Sequence, residues 1–181
     1  MSDSPKITPA DLDYLAMNEV IFILPGFSLG RITLILGDFG PFVPSIATKA
    51  PLWFALYLKE RKLCQIQVPS WLTCEWLETK RNEERSDPDG PLHPIHLHYM
   101  EISSILLNHA SDDIPQAEEI RTLIKDIWDM RMSKLRRSIS IMIKEQHVHA
   151  QVKNISYMEL FCIRPHLCNS LFLIDHIQKA S

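Results

Sequence analysis

The chain has 181 residues, a formal net charge of −3 and 46% apolar residues, which fits one globular domain or two small ones that share an interface. The mild acidity argues against broad contact with nucleic acid, because phosphate binding requires a basic face. The charge-free run at residues 20–30 is too short to cross a bilayer, and the polar, acidic first residues are not those of a signal peptide. We therefore expect neither secretion nor a membrane location.

The first third of the sequence predicts a small β-rich unit. Thr8 is a candidate helix cap with Asp11 three residues later, and the short helix that follows ends near residue 17. Apolar runs at 20–24 and 31–36 predict two strands, each ended by a glycine- and proline-containing turn. A helix is predicted over 51–62, followed by an extended stretch to residue 69. Two or three short strands are not stable alone in water. They need a helix or a partner chain across their apolar face.

From residue 71 onward the sequence is predicted to be helical. Helices are expected at about 71–85 and 99–109, with a loop between them at 86–91 that is rich in Asp, Pro and Gly. The clearest element runs from Pro115 to about His149 without a glycine or proline, and its apolar residues recur in steps of three and four. At ~1.5 Å per residue it would be about 50 Å long. A helix of this length in so small a chain usually packs against more than its own chain.

The last helix is predicted to start with a capping box. Ser156 caps the helix, and Glu159 reaches back to the Ser156 amide. This helix is expected to run to about residue 178, with Pro165 interrupting or restarting it. The predicted fold class is therefore α+β, mostly α. A small N-terminal β-rich domain with flanking helices (1–66) precedes a helical domain (67–181) with one long central helix.

Three closely spaced histidines are the strongest candidate metal ligands. His93, His96 and His98 could hold zinc by spacing alone. However, Pro94 lies within the group, and no cysteine or carboxylate follows at ligand spacing. A solvated loop that carries several histidines is the favoured interpretation.

The other candidate motifs are weaker. His147 and His149 are two apart on a predicted helix and therefore point to different faces. Gly37-x-x-Gly40 lacks the ending and the following helix of a phosphate loop, so it predicts a turn. The four cysteines form no C-x-x-C pair, and free, packed thiols are expected rather than disulfides or metal ligands. No nucleophile motif is present, so we predict no catalytic centre, no metal and no cofactor.

One residue of the long predicted helix departs from its apolar pattern. At 100° per residue, Arg131 lies about 20° from Ile120, in the middle of the apolar stripe, while Arg121 falls beside Trp128 at its edge. A guanidinium that faces a core needs a carboxylate and further acceptors. Two interpretations remain open. Arg131 snorkels or pairs within its own chain, or it pairs with a carboxylate of another subunit.

Several segments resemble the second Psf-type subunit of the GINS complex, and they follow one another through almost the whole chain. They are EVIFILP (19–25), PLW (51–53), PSWL (69–72), LLNHASDDIP (106–115), EIRTLIKDIWDMR (119–131) and NISYMEL (154–160). The histidines at 93–98 depart from the family pattern, which weakens a metal role for them further.

The resemblance implies a non-catalytic structural subunit in the nucleus. In that family, GINS is a heterotetramer that joins the MCM ring and a RecJ-like cell-division-cycle factor in the CMG helicase, for initiation and elongation of DNA replication. Its implied partners are three other GINS subunits, the MCM ring and the RecJ-like factor, with DNA contacted only indirectly. The residues expected at a partner interface are Trp53, Arg121, Ile124, Trp128, Arg131 and Leu135.

Two other classes of function remain as alternatives. The chain could be an autonomous helical adaptor, or it could be a small metal-dependent enzyme. Expression of the chain alone distinguishes an obligate subunit, which should aggregate without partners, from an adaptor. Metal analysis tests the enzyme.

Overall fold

The computed structural model describes residues 7–34, 37–144 and 153–180. The fold is α+β and mostly α, as predicted, with short strands in the first 67 residues and long helices after them. In chain order the elements are α1 (Pro9–Met17), β1 (Val20–Pro25), β2 (Ile32–Leu34), β3 (Gly37–Phe39), β4 (Thr48–Pro51), α2 (Leu52–Glu60), β5 (Cys64–Gln67), α3 (Cys74–Ser86), α4 (Tyr99–His109), a 3₁₀ turn (Ser111–Asp113), α5 (Ala117–Lys144) and α6 (Tyr157–Ala180).

An antiparallel sheet in the order β4-β1-β5 forms the centre of the N-terminal unit. Side chains alternate along β1, so that Ile21 and Ile23 are buried while Val20 and Phe22 remain 52% and 45% exposed. Helix α2 packs against the sheet and buries its own apolar side. Helix α2 therefore supplies the covering helix that a sheet of so few strands needs. Strands β2 and β3 form a separate two-stranded hairpin.

Asp113, in the 3₁₀ turn, connects the sheet to the helical part of the chain. Its Oδ1 lies 2.6 Å from Nζ of Lys59 on α2, and its Oδ2 accepts a 2.8 Å hydrogen bond from the backbone N–H of Ile66 on β5. Because β5 lies at the edge of the sheet, this bond occupies a donor that would otherwise point outward. Asp113 therefore ties both α2 and β5 to the end of α4.

The helical part is built around α5, which packs against α3, α4 and α6. The buried residues of α5 recur at helical spacing, as the sequence predicted. One continuous apolar core joins the underside of the sheet to these helices. Ile23 of β1, Leu77 of α3, Ile102 of α4 and Ile127 of α5 all belong to it.

Three strands were missed by the sequence analysis. The segment at 37–39 was predicted as a turn and forms β3, the stretch at 64–67 was predicted only as an extended link and forms β5, and β4 was not predicted. The predicted strand at 31–36 is present as β2, with its last two residues outside the described part of the chain. These strands are only three or four residues long, which is too short for a clear alternation, and β4 and β5 pair with β1 and not with a neighbouring segment.

The helices follow the predictions more closely. Helix α4 has the predicted bounds, α3 begins three residues later than expected, and the predicted long helix is described only to Lys144. Pro165 does not interrupt α6, contrary to expectation. Proline removes one helical hydrogen bond and crowds the preceding turn. Ile163 before Pro165 and Ser170 after it are both buried, so the helix is packed on either side of the proline.

The four cysteines are free thiols. Cys64 is buried and its Sγ donates to the Ala55 carbonyl oxygen at 3.6 Å, in agreement with a packed thiol, whereas Cys162 and Cys168 are exposed, contrary to that expectation. Within the described ranges, no helix combines the length and the apolar character that crossing a membrane requires.

Candidate functional site: a buried ion cluster and an apolar groove

Arg131 lies at the centre of a buried ion cluster within the chain. Its side chain is only 1% exposed. Nε and Nη2 donate to the two carboxylate oxygens of Glu159 at 2.6 and 3.0 Å, and Nη1 donates to Oε1 of Glu84 at 2.7 Å. The remaining two bonds go to the carbonyl oxygens of His93 and Asn154, at 2.9 and 2.6 Å.

These contacts use all five guanidinium N–H donors. The hypothesis that Arg131 pairs with a carboxylate of another subunit is therefore wrong for this structure, because no donor is left for one. The alternative of a pair within its own chain is the correct one. The fork geometry toward Glu159 is the bidentate arrangement that makes arginine–carboxylate pairs strong.

The two carboxylates have further donors. Glu84 lies in the last turn of α3. Its Oε2 accepts a hydrogen bond from Nζ of Lys134 at 2.6 Å, and its Oε1 accepts one from the His93 N–H at 3.0 Å. Burial alone would raise the pKa of Glu84, but these two bonds and the charge of Arg131 bring it below its ordinary value. The cluster thus contains two carboxylates and two cations, and its formal charges cancel.

Glu159 completes the cluster from the first turn of α6. Its Oε1 accepts the hydroxyl of Tyr99 at 2.8 Å, and its Oε2 accepts the backbone N–H of Ser156 at 2.9 Å. Ser156 Oγ accepts the Glu159 N–H at 3.3 Å, which confirms the predicted capping box. Burial and the Glu159 carboxylate raise the pKa of Tyr99, so that it stays a donor.

The geometry indicates a structural role for this cluster. It joins one residue or more from each of α3, α4, α5 and α6, and its donors and acceptors are occupied by one another. For Arg131, burial alone would lower the pKa, but Glu159 raises it above its usual range, so the charge is retained. Sequence analysis found Arg131 and the Ser156–Glu159 box separately but did not identify Glu84, Tyr99 or Lys134, because nothing in the sequence links positions so far apart.

The three candidate metal-ligand histidines do not converge. His93 Nδ1 lies 3.7 Å from Glu84 Oε2, and the His96 ring stacks on Trp71 with centroids 5.0 Å apart. His98 is buried against the ring of Tyr157, on α6. Over the described parts of the chain, no three His, Cys, Asp or Glu side chains are placed to hold a metal ion. His147 and His149 lie outside those parts.

The six residues predicted at a partner interface lie in different surroundings. Trp53 is 37% exposed, and the Arg121 side chain is 48% exposed. Trp128 and Leu135 are half-buried. Ile124 and Arg131 are buried in their own chain, so neither offers surface to a partner.

A groove of about 720 Å³ runs between the second half of α5, the first half of α6 and the loop at residues 90–94. Its walls are mainly apolar, and two of its side chains, Ile141 and Leu160, are 44% and 38% exposed. Further apolar exposure lies close to it in sequence, at Ile143 (40%) and Phe172 (61%). Apolar side chains that are exposed together in a concave surface mark a site of interaction more often than scattered exposed residues do.

Comparisons with known proteins agree with this architecture. Residues 8–67 match the family model described as PSF2 N-terminal domain, and residues 71–171 match the one described as GINS complex protein helical bundle domain. The two matches cover the strand-containing part and most of the helical part, respectively.

Curated relatives extend the similarity over most of the chain. The DNA replication complex GINS protein PSF2 of Homo sapiens is 45% identical over 151 residues, which is 83% of this chain and 81% of the relative. The protein of the same name from Xenopus laevis is 43% identical over 170 residues, 94% and 90% of the two chains. The probable DNA replication complex GINS protein PSF2 of Drosophila melanogaster is 36% identical over 171 residues, 94% and 82% of the two chains. Family models and relatives therefore agree, and the chain belongs to the PSF2 family.

Proposed function

We propose that this chain is a non-catalytic structural subunit of a GINS heterotetramer that acts in the initiation and elongation of chromosomal DNA replication. In this proposal its partners are three other GINS subunits and, within the CMG helicase, the MCM ring and the RecJ-like factor. The chain acts in the nucleus, contacts DNA only indirectly and uses no cofactor.

The observation that carries the proposal is the apolar groove between α5 and α6. Ile141 and Leu160 line the groove and are exposed on this chain alone. In a permanent complex such residues are covered by a partner, because the interfaces of obligate complexes resemble a domain core that has been divided in two. The PSF2 family membership supplies the class of partner.

The buried ion cluster supports a structural role. Catalytic groups need access to a substrate, and perturbed groups of that kind lie in clefts. Glu84, Arg131 and Glu159 are at most 2% exposed and pair with one another. Their ion pairs and hydrogen bonds instead hold four helices together.

Co-expression with the three other GINS subunits tests the proposal. A tag on this chain should recover all four proteins in equal amounts, and native mass spectrometry should give the mass of one copy of each. The double variant Ile141→Glu with Leu160→Glu should reduce recovery of the partners, because it places two charges in the groove. The matched control is Ser133→Glu with Asn169→Glu, at exposed positions outside the groove.

A soluble, two-state monomer that recovers none of the three subunits would instead support the autonomous adaptor.

We also propose that the two domains are residues 1–66 and 67–181. Limited proteolysis of the purified complex tests this division: the first cut should separate the two domains after β5, and a first cut inside either domain would count against it.

A further inference from the structure

A buried glutamate and a buried histidine lie together at the start of α4, outside the ion cluster. Glu101 is in the first turn of α4, and His98 is the residue that precedes this helix. Their side chains are 0% and 7% exposed, and Oε1 of Glu101 lies 3.6 Å from Nδ1 of His98. Within the described part of the chain, neither oxygen of Glu101 nor Nδ1 of His98 has a hydrogen-bond partner. Buried polar atoms are almost always hydrogen-bonded, and a proton held between the two side chains would satisfy Oε1 and Nδ1 together.

The charge of this pair depends on that one proton. With it, the pair is neutral as a whole, either as a carboxylic acid beside an imidazole or as a carboxylate beside an imidazolium. Without it, Glu101 is a buried carboxylate with no cation beside it, which is a costly state. Burial raises the pKa of Glu101 above its ordinary value of 4.5, and the Asp13 carboxylate on α1 raises it further, although His98 opposes both effects.

The described residues that surround the pair supply no second cation. The His98 ring lies against that of Tyr157 on α6, with centroids 4.7 Å apart. His96 accepts the His98 N–H on Nδ1 at 3.2 Å, and burial lowers the pKa of His96, so it is neutral near pH 7. On α5, Arg121 donates to a backbone carbonyl in the last turn of α4, and Asp113 of the 3₁₀ turn is paired with a lysine of α2.

Helix α1 packs against both α4 and α6 and is weakly held. It has nine residues, of which Leu12 and Ala16 are buried, whereas Tyr14 and Leu15 are 70% and 50% exposed. Helices this short are marginal in water, so α1 depends on its contacts with the rest of the chain. An element with so few buried apolar side chains opens at a low cost in free energy.

We propose that α1 is a proton-dependent latch, which stays docked on α4 while Glu101 and His98 hold one proton between them and undocks when that proton leaves. The lone Glu101 carboxylate is stabilised by water and repelled by Asp13, and both effects favour the undocked helix. Docking of α1 is therefore strongest at low pH and weakens as the pH rises through the pKa of the docked pair.

Hydrogen–deuterium exchange of the full chain, purified with its bound partners, tests this proposal. Exchange is read on peptides from α1 and corrected for the intrinsic rate at each pH. From about pH 5 to about pH 9 the protection of α1 should fall, by at most about tenfold per pH unit, because one proton is released. Glu101→Gln should show no such fall, since glutamine has no proton to lose in this range. If that variant does not fold, Asp13→Asn, at an exposed position, should move the fall to higher pH.

The matched control is Glu118→Gln in the first turn of α5, where the side chain is 88% exposed. This variant should leave the pH dependence of α1 unchanged. Protection of α1 that does not vary with pH, or that falls equally in Glu101→Gln, would overturn the proposal. So would a parallel loss of protection in peptides from α5, because the chain would then be unfolding as a whole and α1 would not be opening by itself.

Discussion

Replacing Arg131 with alanine should strongly destabilise the helical part of the chain. The change removes five hydrogen bonds and leaves the Glu84 and Glu159 carboxylates buried without the charge that lies between them. Breaking a buried ion pair by removing one partner costs about 3–5 kcal/mol. In a chain of this size, 1 kcal/mol lowers the melting temperature by roughly 2–4 °C. The expected decrease is therefore about 6–20 °C.

The assay is thermal unfolding of the purified complex, followed by circular dichroism and by the temperature at which this chain is lost from it. Arg136→Ala is the control, because Arg136 is exposed on the same helix and surface substitutions usually change stability by less than about 0.5 kcal/mol. Arg131→Lys should fall between the two, since lysine keeps the charge but not the planar fork.

A second variant distinguishes the cost of leaving a carboxylate buried without its partner from the cost of lost packing. Adding Glu159→Gln to Arg131→Ala removes the charge of one stranded carboxylate while glutamine preserves the capping box. The double variant should therefore melt at a higher temperature than Arg131→Ala alone. If Arg131→Ala and Arg136→Ala melt within about 1 °C of one another, which is well under 1 kcal/mol for a chain of this size, the cluster contributes nothing measurable and the reasoning fails.

Three further predictions follow from single contacts. The pKa of Glu84 is lowered in the folded state, so its contribution to stability is present at neutral pH and is lost as the pH falls below about 4. Between pH 7 and pH 2 the melting temperature of Glu84→Gln should therefore fall by less than that of the unchanged chain. Asp113→Ala should free the backbone N–H of Ile66 and speed its hydrogen exchange by about tenfold, as expected from the loss of one charge-assisted bond, whereas exposed Asp112→Ala should not. Ser156→Ala should cost about 1 kcal/mol through loss of the helix cap, measured by thermal unfolding, whereas Ser156→Thr should keep most of the capping stability because it keeps the hydroxyl.

Features that depend on neighbouring residues were predicted well. The α4 bounds at 99–109 and the pairing of Ser156 with Glu159 were both correct, because they rest on contacts within one turn of helix. The Thr8–Asp11 start of α1 was also correct, and Thr8 N–H donates to Asp11 at 2.7 Å. Local hydrogen bonding and helical periodicity are encoded within a few residues, so a single sequence suffices for them.

Features that depend on distant residues were not predicted. Strand β5 is stabilised by pairing with β1, 39 to 45 residues earlier in the chain, and by Asp113, which is 47 residues away from Ile66. The need of Arg131 for a carboxylate was predicted from its position in the apolar stripe, but the identity of that carboxylate was not. Glu84 lies 47 residues before Arg131, and no local pattern connects them.

The spacing of the ion cluster along the chain also sets an order of events during synthesis. Glu84 is made 47 residues before Arg131, and Glu159 is made 28 residues after it. At 5–20 residues per second, Glu159 follows Arg131 by roughly 1.4–5.6 s. Until Glu159 has been made, the guanidinium can reach only one of its two carboxylates, and α6 is not there to cover its side of α5. The cluster is therefore completed last, and the full packing of α5 waits for the synthesis of α6.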